Sequence, residues 1–152
     1  MSEEQIRGEL RALVQLDVDA VHAYGQVIAA AGVLALRDAL GELRRDHQRH
    51  VEAITEALAG LGDERAPPEP DLRGRLLGGM TAVRALAGME AALHALRDDE
   101  QVATVAYARA LAKPLPEPYL ELVRRGHADE HRHLETVERW IAGRAWESTA
   151  HV

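Results

Sequence analysis

Apolar residues recur every three to four positions along four long stretches of this chain, the spacing that puts side chains on one face of an α-helix. The pattern stops at Gly32, at the glycine-rich run 60–63 and at the prolines between 114 and 118, residue types that end or break helices. It therefore predicts helices over about 3–30, 34–59, 88–113 and 117–143.

The connections between these stretches differ in length. The first and third are short, as in antiparallel helical hairpins. The second is long, and it contains a proline-rich run at 67–70 and an amphipathic piece at 71–86 that predicts a short helix. The chain is accordingly predicted to be all-α, a four-helix bundle of two helical hairpins joined by one long crossover. The bundle is expected to occupy residues 1–143, with a C-terminal tail at 144–152.

The two halves of the chain match each other at an offset of 83 residues. Tyr24 falls on Tyr107, and Asp46, Arg49 and His50 fall on Asp129, Arg132 and His133. Such polar matches are harder to obtain by chance than matches of alanine and leucine in so Ala- and Leu-rich a chain. Each half is then one hairpin, and the two hairpins are related by pseudo-symmetry. The same offset pairs Asp17 with Glu100 and His47 with Glu130.

Carboxylates and imidazoles interrupt the apolar stripe of every predicted helix. The interrupting residues are Asp17, His47, His50, Glu100, Glu130 and His133. Asp17 and His47 lie equally far from the turn at Gly32, so they face each other at one level of an antiparallel hairpin. Glu100 and Glu130 are likewise centred on position 115, and the remaining two histidines lie one turn away. Six ligand-type side chains are thus predicted to converge on the bundle axis.

Unpaired carboxylates are costly to bury, and a divalent cation between them removes that cost. Carboxylate and neutral imidazole are good ligands for iron, manganese or zinc. One carboxylate from each of two helices plus Glu-x-x-His from the others is the ligand pattern of carboxylate-bridged dimetal bundles. The alternative is a metal-free bundle whose buried acids and histidines satisfy one another in a polar network.

Two motifs carry a family resemblance, Asp46-His47-Gln48-Arg49-His50 and Asp129-Glu130-His131-Arg132-His133. Over about residues 5–142 the chain resembles the ferritin-like superfamily, the rubrerythrin and bacterioferritin type of di-iron carboxylate bundle. It is most similar to a group of uncharacterised bacterial ferritin-like proteins that carry these motifs on their second and fourth helices.

The resemblance implies roles for the converging residues. Asp17 and Glu100 would be terminal carboxylate ligands, His50 and His133 histidine ligands, and Glu130 a bridging carboxylate. Tyr24 and Tyr107 match the tyrosines beside such sites, in a redox or hydrogen-bonding role. Asp46 and Asp129 would hold the histidines from behind or reach inward themselves. The chain departs from the family at His47, which stands where a second bridging Glu belongs, and at Asp17, which is shorter than the usual Glu. A mononuclear or mixed site therefore stays open.

Composition excludes several function classes. The chain has no cysteine, so thiol catalysis and zinc–thiolate sites are excluded. Its net charge of −7 and lack of a basic stripe argue against nucleic acid and anionic membranes as partners. No apolar run approaches the roughly 20 residues that span a bilayer, and the N-terminus has no secretion signal. A cytoplasmic location is expected.

Other charged residues lie off the inward stripes. His127 and His131 are expected to be solvated, and Asp19, His22, Asp98 and Asp99 to be plain exposed charges.

The leading functional expectation is a protein that binds one or two iron ions, with manganese or zinc as alternatives. It would oxidise Fe(II) or consume peroxide or dioxygen, in iron handling or oxidative-stress defence. The alternatives are a helical module that acts through partners or self-association as a homo-oligomer, and a bundle with a structural zinc ion. If the chain is such a helical module, Trp140, Arg144 and Trp146 would form part of its contact surface.

Overall fold

The computed structural model describes residues 1–71 and 87–147, and the described part is all-helical. Four long helices confirm the predicted helical bundle, and their bounds agree with the sequence pattern within two residues. They are α1 Glu3–Ala30, α2 Leu34–Gly60, α3 Met89–Leu111 and α4 Tyr119–Ala142. The short helix predicted within 71–86 lies almost entirely outside the described residues.

Local signals explain where the helices begin and end. Ser2 caps α1 with a capping box, in which its hydroxyl accepts from the Gln5 backbone N–H while the Gln5 side chain accepts from the Ser2 backbone. Gly62 and Gly88 have φ of 77° and 116°, a region that favours glycine, and they flank the long connection between the hairpins. Pro118 directly precedes α4, where a residue without a backbone N–H costs no helical hydrogen bond.

The helices pair as two hairpins, α1 with α2 and α3 with α4, and α1 also packs along α3. Two apolar clusters fill the two ends of the bundle. The upper core includes Val27, Leu36, Leu40, Leu93, Leu96 and Val137, and the lower core includes Ile6, Leu10, Ile54, Leu58, Leu115 and Val123. Each fully buried aliphatic side chain contributes roughly 1.5–3 kcal/mol. The polar layer predicted from the sequence lies between the two clusters.

The connection after α2 runs along α1 and corrects one prediction. Asp19, predicted to be exposed, is 6% exposed because Asp71 lies over it and donates its backbone N–H to Asp19 Oδ1 at 2.8 Å. Gln15 also donates to Asp19 and to the Glu69 carbonyl. Asp99, likewise predicted to be exposed, is 6% exposed, so the inward face of α3 is wider than a single stripe.

The segment after α4 folds back on the bundle. Ala145–Glu147 forms a 3-10 turn, and Trp146 and Trp140 are partly buried against the upper core. Arg144 lies over the Trp146 ring at 5.3 Å. The tryptophans predicted to form a contact surface therefore pack mainly within the chain. Residues 148–152 of the predicted tail lie outside the described residues.

Candidate metal centre

All six ligand-type residues predicted from the sequence meet in one layer at mid-height of the bundle, and none is more than 9% exposed. The layer comprises Asp17 from α1, His47 and His50 from α2, Glu100 from α3, and Glu130 and His133 from α4. Helix phase, the sequence repeat and the distance from each turn together predicted that they point inward. Their convergence is observed, and their role as metal ligands stays a prediction.

His47 lies at the centre of this layer. Its Nδ1 donates to Asp17 Oδ1 at 2.9 Å and lies 3.4 Å from Glu130 Oε1. Its Nε2 donates to Glu100 Oε1 at 3.2 Å. The side chain that departs from the family pattern thus contacts carboxylates from three different helices.

The layer divides into two overlapping groups that could each hold a metal ion. One group is Asp17, His47, His50 and Glu130, and the other is His47, Glu100, Glu130 and His133. Within each group the ligand atoms lie within 4.8 Å of one another, close enough to converge on one ion after small rotations. His47 and Glu130 belong to both groups.

Several buried polar atoms in this layer have no hydrogen-bond partner among the described residues. They are both carboxylate oxygens of Glu130, Oε2 of Glu100 and Nδ1 of His133. His50 Nδ1 lies 3.3 Å from Glu130 Oε1, but its hydrogen bond goes to Asp17 Oδ1 at 3.0 Å. Leaving a buried donor or acceptor unpaired costs about 1–3 kcal/mol each. These orphaned atoms fit a bound cation, because all four belong to residues of the two groups.

Two aspartates contact His50 and His133, the outer histidines of the layer, on the side that faces away from the bundle axis. His50 Nε2 contacts Asp129 Oδ2 at 2.9 Å, and His133 Nε2 contacts Asp46 Oδ2 at 2.9 Å. Each aspartate therefore contacts the histidine of the opposite hairpin. Because Nε2 is engaged outward, both histidines present Nδ1 to the layer, which is how outer contacts orient metal-binding imidazoles.

Arg132 joins the two aspartates at the surface. Its guanidinium lies 2.7 Å from Asp46 Oδ2 and 3.0 Å from Asp129 Oδ1. Arg49, its counterpart in the sequence repeat, pairs with Asp46 as well. The sequence predicted a repeat of Arg49 and Arg132 but no role for either. The structure places both at the outer side of the layer, between α2 and α4.

The two tyrosines cross between the hairpins. Tyr24 on α1 donates its hydroxyl to Glu100 Oε1, and Tyr107 on α3 donates to Asp17 Oδ2 at 2.5 Å. Both rings are 1% exposed. Gly126 was not predicted from the sequence to have a role. It leaves the space that the Tyr107 ring fills, because a Cβ there would overlap the ring. Each tyrosine, two turns beyond the acid of its own helix, therefore donates to the acid of the opposite hairpin.

Burial and the contacts within the layer shift the pKa values of the three carboxylates in different directions. Burial opposes ionisation of Asp17, but hydrogen bonds from His47 and His50 outweigh it and lower the pKa of Asp17 to about 2. Burial likewise opposes ionisation of Glu100, and the charge of His47 outweighs it and lowers the pKa of Glu100 to about 2. Burial opposes ionisation of Glu130 as well, and here the charge of His47 does not outweigh it, so the pKa of Glu130 is raised to about 8.

The histidines also differ. Burial disfavours charge on His50, yet its hydrogen bond with Asp17 and its 3.3 Å contact with the Glu130 carboxylate raise its pKa to about 10. Burial opposes charge on His47 too, but the neighbouring carboxylates raise its pKa well above the usual value. Burial and the nearby charge of His47 lower the pKa of His133 to about 3. Without a metal, two cationic histidines thus balance two carboxylates.

His127 and His131, which were not predicted to be metal ligands, belong to neither of the two ligand groups. His131 is an exposed residue that pairs with Glu135 at 3.3 Å.

Comparison with known proteins leaves the chain without a match. No family model, no curated protein and no solved structure matches it. The ferritin-like resemblance therefore stays an expectation from the sequence motifs. No helix in the described part is both long and apolar enough to cross a membrane. The expectations of a cytoplasmic location and a homo-oligomer stay predictions.

Proposed function

We propose that this chain is a ferritin-like protein that binds two metal ions, iron in the first place, and uses them to oxidise Fe(II) or to consume peroxide or dioxygen. The observation that carries the proposal is the pair of overlapping groups of buried ligand atoms between the two cores. Four of their polar atoms lack any hydrogen-bond partner in the described chain. A site for cations accounts for these unpaired atoms, whereas a packed metal-free core leaves them as a cost.

The ferritin-like part of the proposal is supported by the arrangement of the helices. Two antiparallel hairpins are joined by one long connection, and a carboxylate or histidine from every helix reaches the same layer. The motifs on α2 and α4 place His50 and His133 one turn after the central residues, as the family pattern requires. His47 is the departure, and it still lies at the centre of the site.

Within this proposal each residue has a defined task. Asp17 and His50 would bind one ion, Glu100 and His133 the other, and Glu130 both. Bound iron supplies the electrons that reduce dioxygen or peroxide. The upper and lower cores exclude bulk water from the layer.

The tyrosines would position the terminal carboxylates and hold protons next to them. Tyr24 and Tyr107 keep their protons, because burial and the nearby carboxylates raise the pKa of both hydroxyls well above the usual value. Manganese or zinc would find the same nitrogen and oxygen ligands suitable, so the ligand set by itself does not choose among them.

A second candidate has an observation of its own. Without a metal, cationic His47 and His50 balance anionic Asp17 and Glu100, while neutral Glu130 and His133 complete the layer. Such a network could hold a metal-free helical module that acts through partners. A structural zinc ion is the third alternative, and it would leave the protein without oxidase activity.

Metal analysis separates these candidates. Purified protein is loaded anaerobically with Fe(II), freed of loose metal by gel filtration, and compared with the Glu130→Ala/His133→Ala double variant and with His131→Gln as a matched exposed control. We expect iron bound in the wild type and in the control, none in the double variant, and Fe(II) oxidation on exposure to dioxygen or peroxide. If the wild-type protein retains no more iron than the double variant, the proposal is wrong. Stoichiometric zinc without oxidase activity would favour the structural site.

A further inference from the structure

His47 presents a different ring nitrogen to each of the two ligand groups. Nδ1 faces Asp17 Oδ1 at 2.9 Å and Glu130 Oε1 at 3.4 Å, both in the first group. Nε2 faces Glu100 Oε1 at 3.2 Å, in the second group. The outer histidines differ from it, because each turns Nε2 toward an aspartate and offers only Nδ1 to the layer. Of the three histidines in this layer, His47 is therefore the one whose two ring nitrogens both face carboxylates of the ligand groups, one nitrogen toward each group.

We propose that His47 bridges two metal ions through its imidazole, with one ion at each ring nitrogen. This inference rests on the proposed metal binding and specifies the bridge. Glu130 spans the same gap, since it belongs to both groups and neither of its oxygens has a hydrogen-bond partner in the described chain. The pair of bridges would then be one imidazole and one carboxylate.

Charge balance favours the imidazole bridge. An imidazole that binds two ions has given up both ring protons, so the ring carries one negative charge, and the released protons pass to solvent. Asp17, Glu100 and Glu130 add one negative charge each when ionised. The four negative charges then equal the four positive charges of two divalent ions. A neutral histidine at this position would leave one uncompensated positive charge in a layer that is almost fully buried, which is costly.

The bridge sets the spacing of the two ions. Two metal–nitrogen bonds of about 2.1 Å on opposite sides of an imidazole ring keep the ions roughly 6 Å apart. The two metal ions of phosphatases and polymerases, by contrast, lie about 3.5–4 Å apart. A single oxygen atom, with bonds of about 2.0–2.2 Å, cannot reach both ions across roughly 6 Å. The oxidant would therefore contact one ion at a time, and the two ions would communicate through the ring of His47.

Copper(II) is a suitable probe of the bridge, because it binds nitrogen and oxygen sites tightly and reports on a neighbouring copper ion by electron paramagnetic resonance. Metal content and spectra are measured on wild-type protein, on His47→Gln, on His47→Glu and on His131→Gln as the exposed control. Circular dichroism of each variant verifies that it is helical. His47→Glu restores a carboxylate of the family type and serves as the second variant should His47→Gln lose its fold.

We expect wild type and control to bind two copper ions per chain and to show the half-field signal of a coupled pair. His47→Gln should lose the coupled signal and bind one ion per chain, a twofold loss of copper. His47→Glu should keep two ions but change the coupling, because a carboxylate brings them closer. An unchanged coupled signal in His47→Gln would overturn the bridge and leave metal binding intact. A single ion in the wild type would also overturn it, whereas no bound copper or iron would overturn the proposed function itself.

Discussion

His50 and His133 occupy equivalent positions in the two hairpins, yet the pKa of His50 is raised to about 10 and that of His133 is lowered to about 3. The outward contacts are equivalent, since Nε2 of His50 contacts Asp129 and Nε2 of His133 contacts Asp46, both at 2.9 Å. The difference comes from the groups that face Nδ1. His50 Nδ1 lies 3.0 Å from Asp17 Oδ1 and 3.3 Å from Glu130 Oε1. His133 Nδ1 lies 3.8 Å from Glu100 Oε1, and the charge of His47, which stands where the second hairpin has Glu130, lies nearby.

This comparison shows how one exchange polarises a symmetric layer. His47 and His50 both donate to Asp17 Oδ1, so the first hairpin forms a closed ion network. Neither oxygen of Glu130 receives a hydrogen bond among the described residues, and His133 Nδ1 has no partner either. The first hairpin therefore contributes to stability without a metal, whereas the second keeps unpaired ligand atoms that a metal would satisfy.

Removing the charge of Asp17 should have the largest effect on metal-free stability. Asp17 accepts hydrogen bonds from His47, His50 and Tyr107, so Asp17→Asn leaves two buried imidazolium groups without their shared counter-ion. Breaking such a buried pair lowers the free energy of unfolding by about 3–5 kcal/mol. Urea unfolding in the presence of a chelator measures the loss.

Glu130→Gln is the matched variant for this test. Glu130 accepts no hydrogen bond in the described chain, so its amide analogue should change metal-free stability by less than about 1 kcal/mol. Equal losses in Asp17→Asn and Glu130→Gln would contradict the polarised layer.

The pH dependence of metal-free stability should be the next largest effect. The folded pKa of His50, about 10, lies above its usual 6.5, so its contribution is complete below pH 6.5 and is lost as the pH rises toward 10. Glu130, with a folded pKa of about 8 against 4.5, adds to the fall between pH 4.5 and 8. His133 acts oppositely, because its folded pKa of about 3 makes the protein gain stability from pH 3 to 6.5. The opposite slopes of Glu130 and His133 cancel between pH 4.5 and 6.5, so we expect a broad maximum over that range, read from urea midpoints.

Two variants test which histidine contributes to the alkaline and which to the acidic slope of the pH–stability profile. His50→Gln should reduce the alkaline slope, to which His47 and Glu130 also contribute, and leave the acidic slope unchanged. His133→Gln should reduce the acidic slope, to which Asp17 and Glu100 also contribute, and leave the alkaline slope unchanged. Identical profiles for the two variants would show that the equivalent histidines have equivalent surroundings, against the structure.

Helix phase and the sequence repeat predicted which side chains point inward, and neither depends on how the two hairpins pack on each other. Asp17, His47 and Glu130 each interrupt an apolar stripe, so one helix at a time was enough to find them. The crossing of Tyr24 to Glu100 depends on how one hairpin packs on the other, which no single stripe contains. The burial of Asp19 depends on the path of the long connection. The opposite pKa shifts of the two histidines depend on distances of a few ångström across the bundle.

Gly126 offers the smallest and most local test of the same asymmetry. Leu43 is the residue of the first hairpin that corresponds to Gly126 in the sequence repeat. The first hairpin thus has a leucine side chain where the second leaves room for the Tyr107 ring against α4. A Cβ at position 126 would overlap the ring of Tyr107, which must then move away from Asp17.

Gly126→Ala should therefore lower the free energy of unfolding by about 1–3 kcal/mol, the usual cost of overpacking, despite the better helix propensity of alanine. Gly8→Ala in α1 is the control, because nothing lies within 4 Å of its added Cβ, and it should gain up to about 1 kcal/mol. Thermal and urea unfolding measure both. A gain in Gly126→Ala equal to that in Gly8→Ala would mean that the Tyr107 ring does not occupy this space.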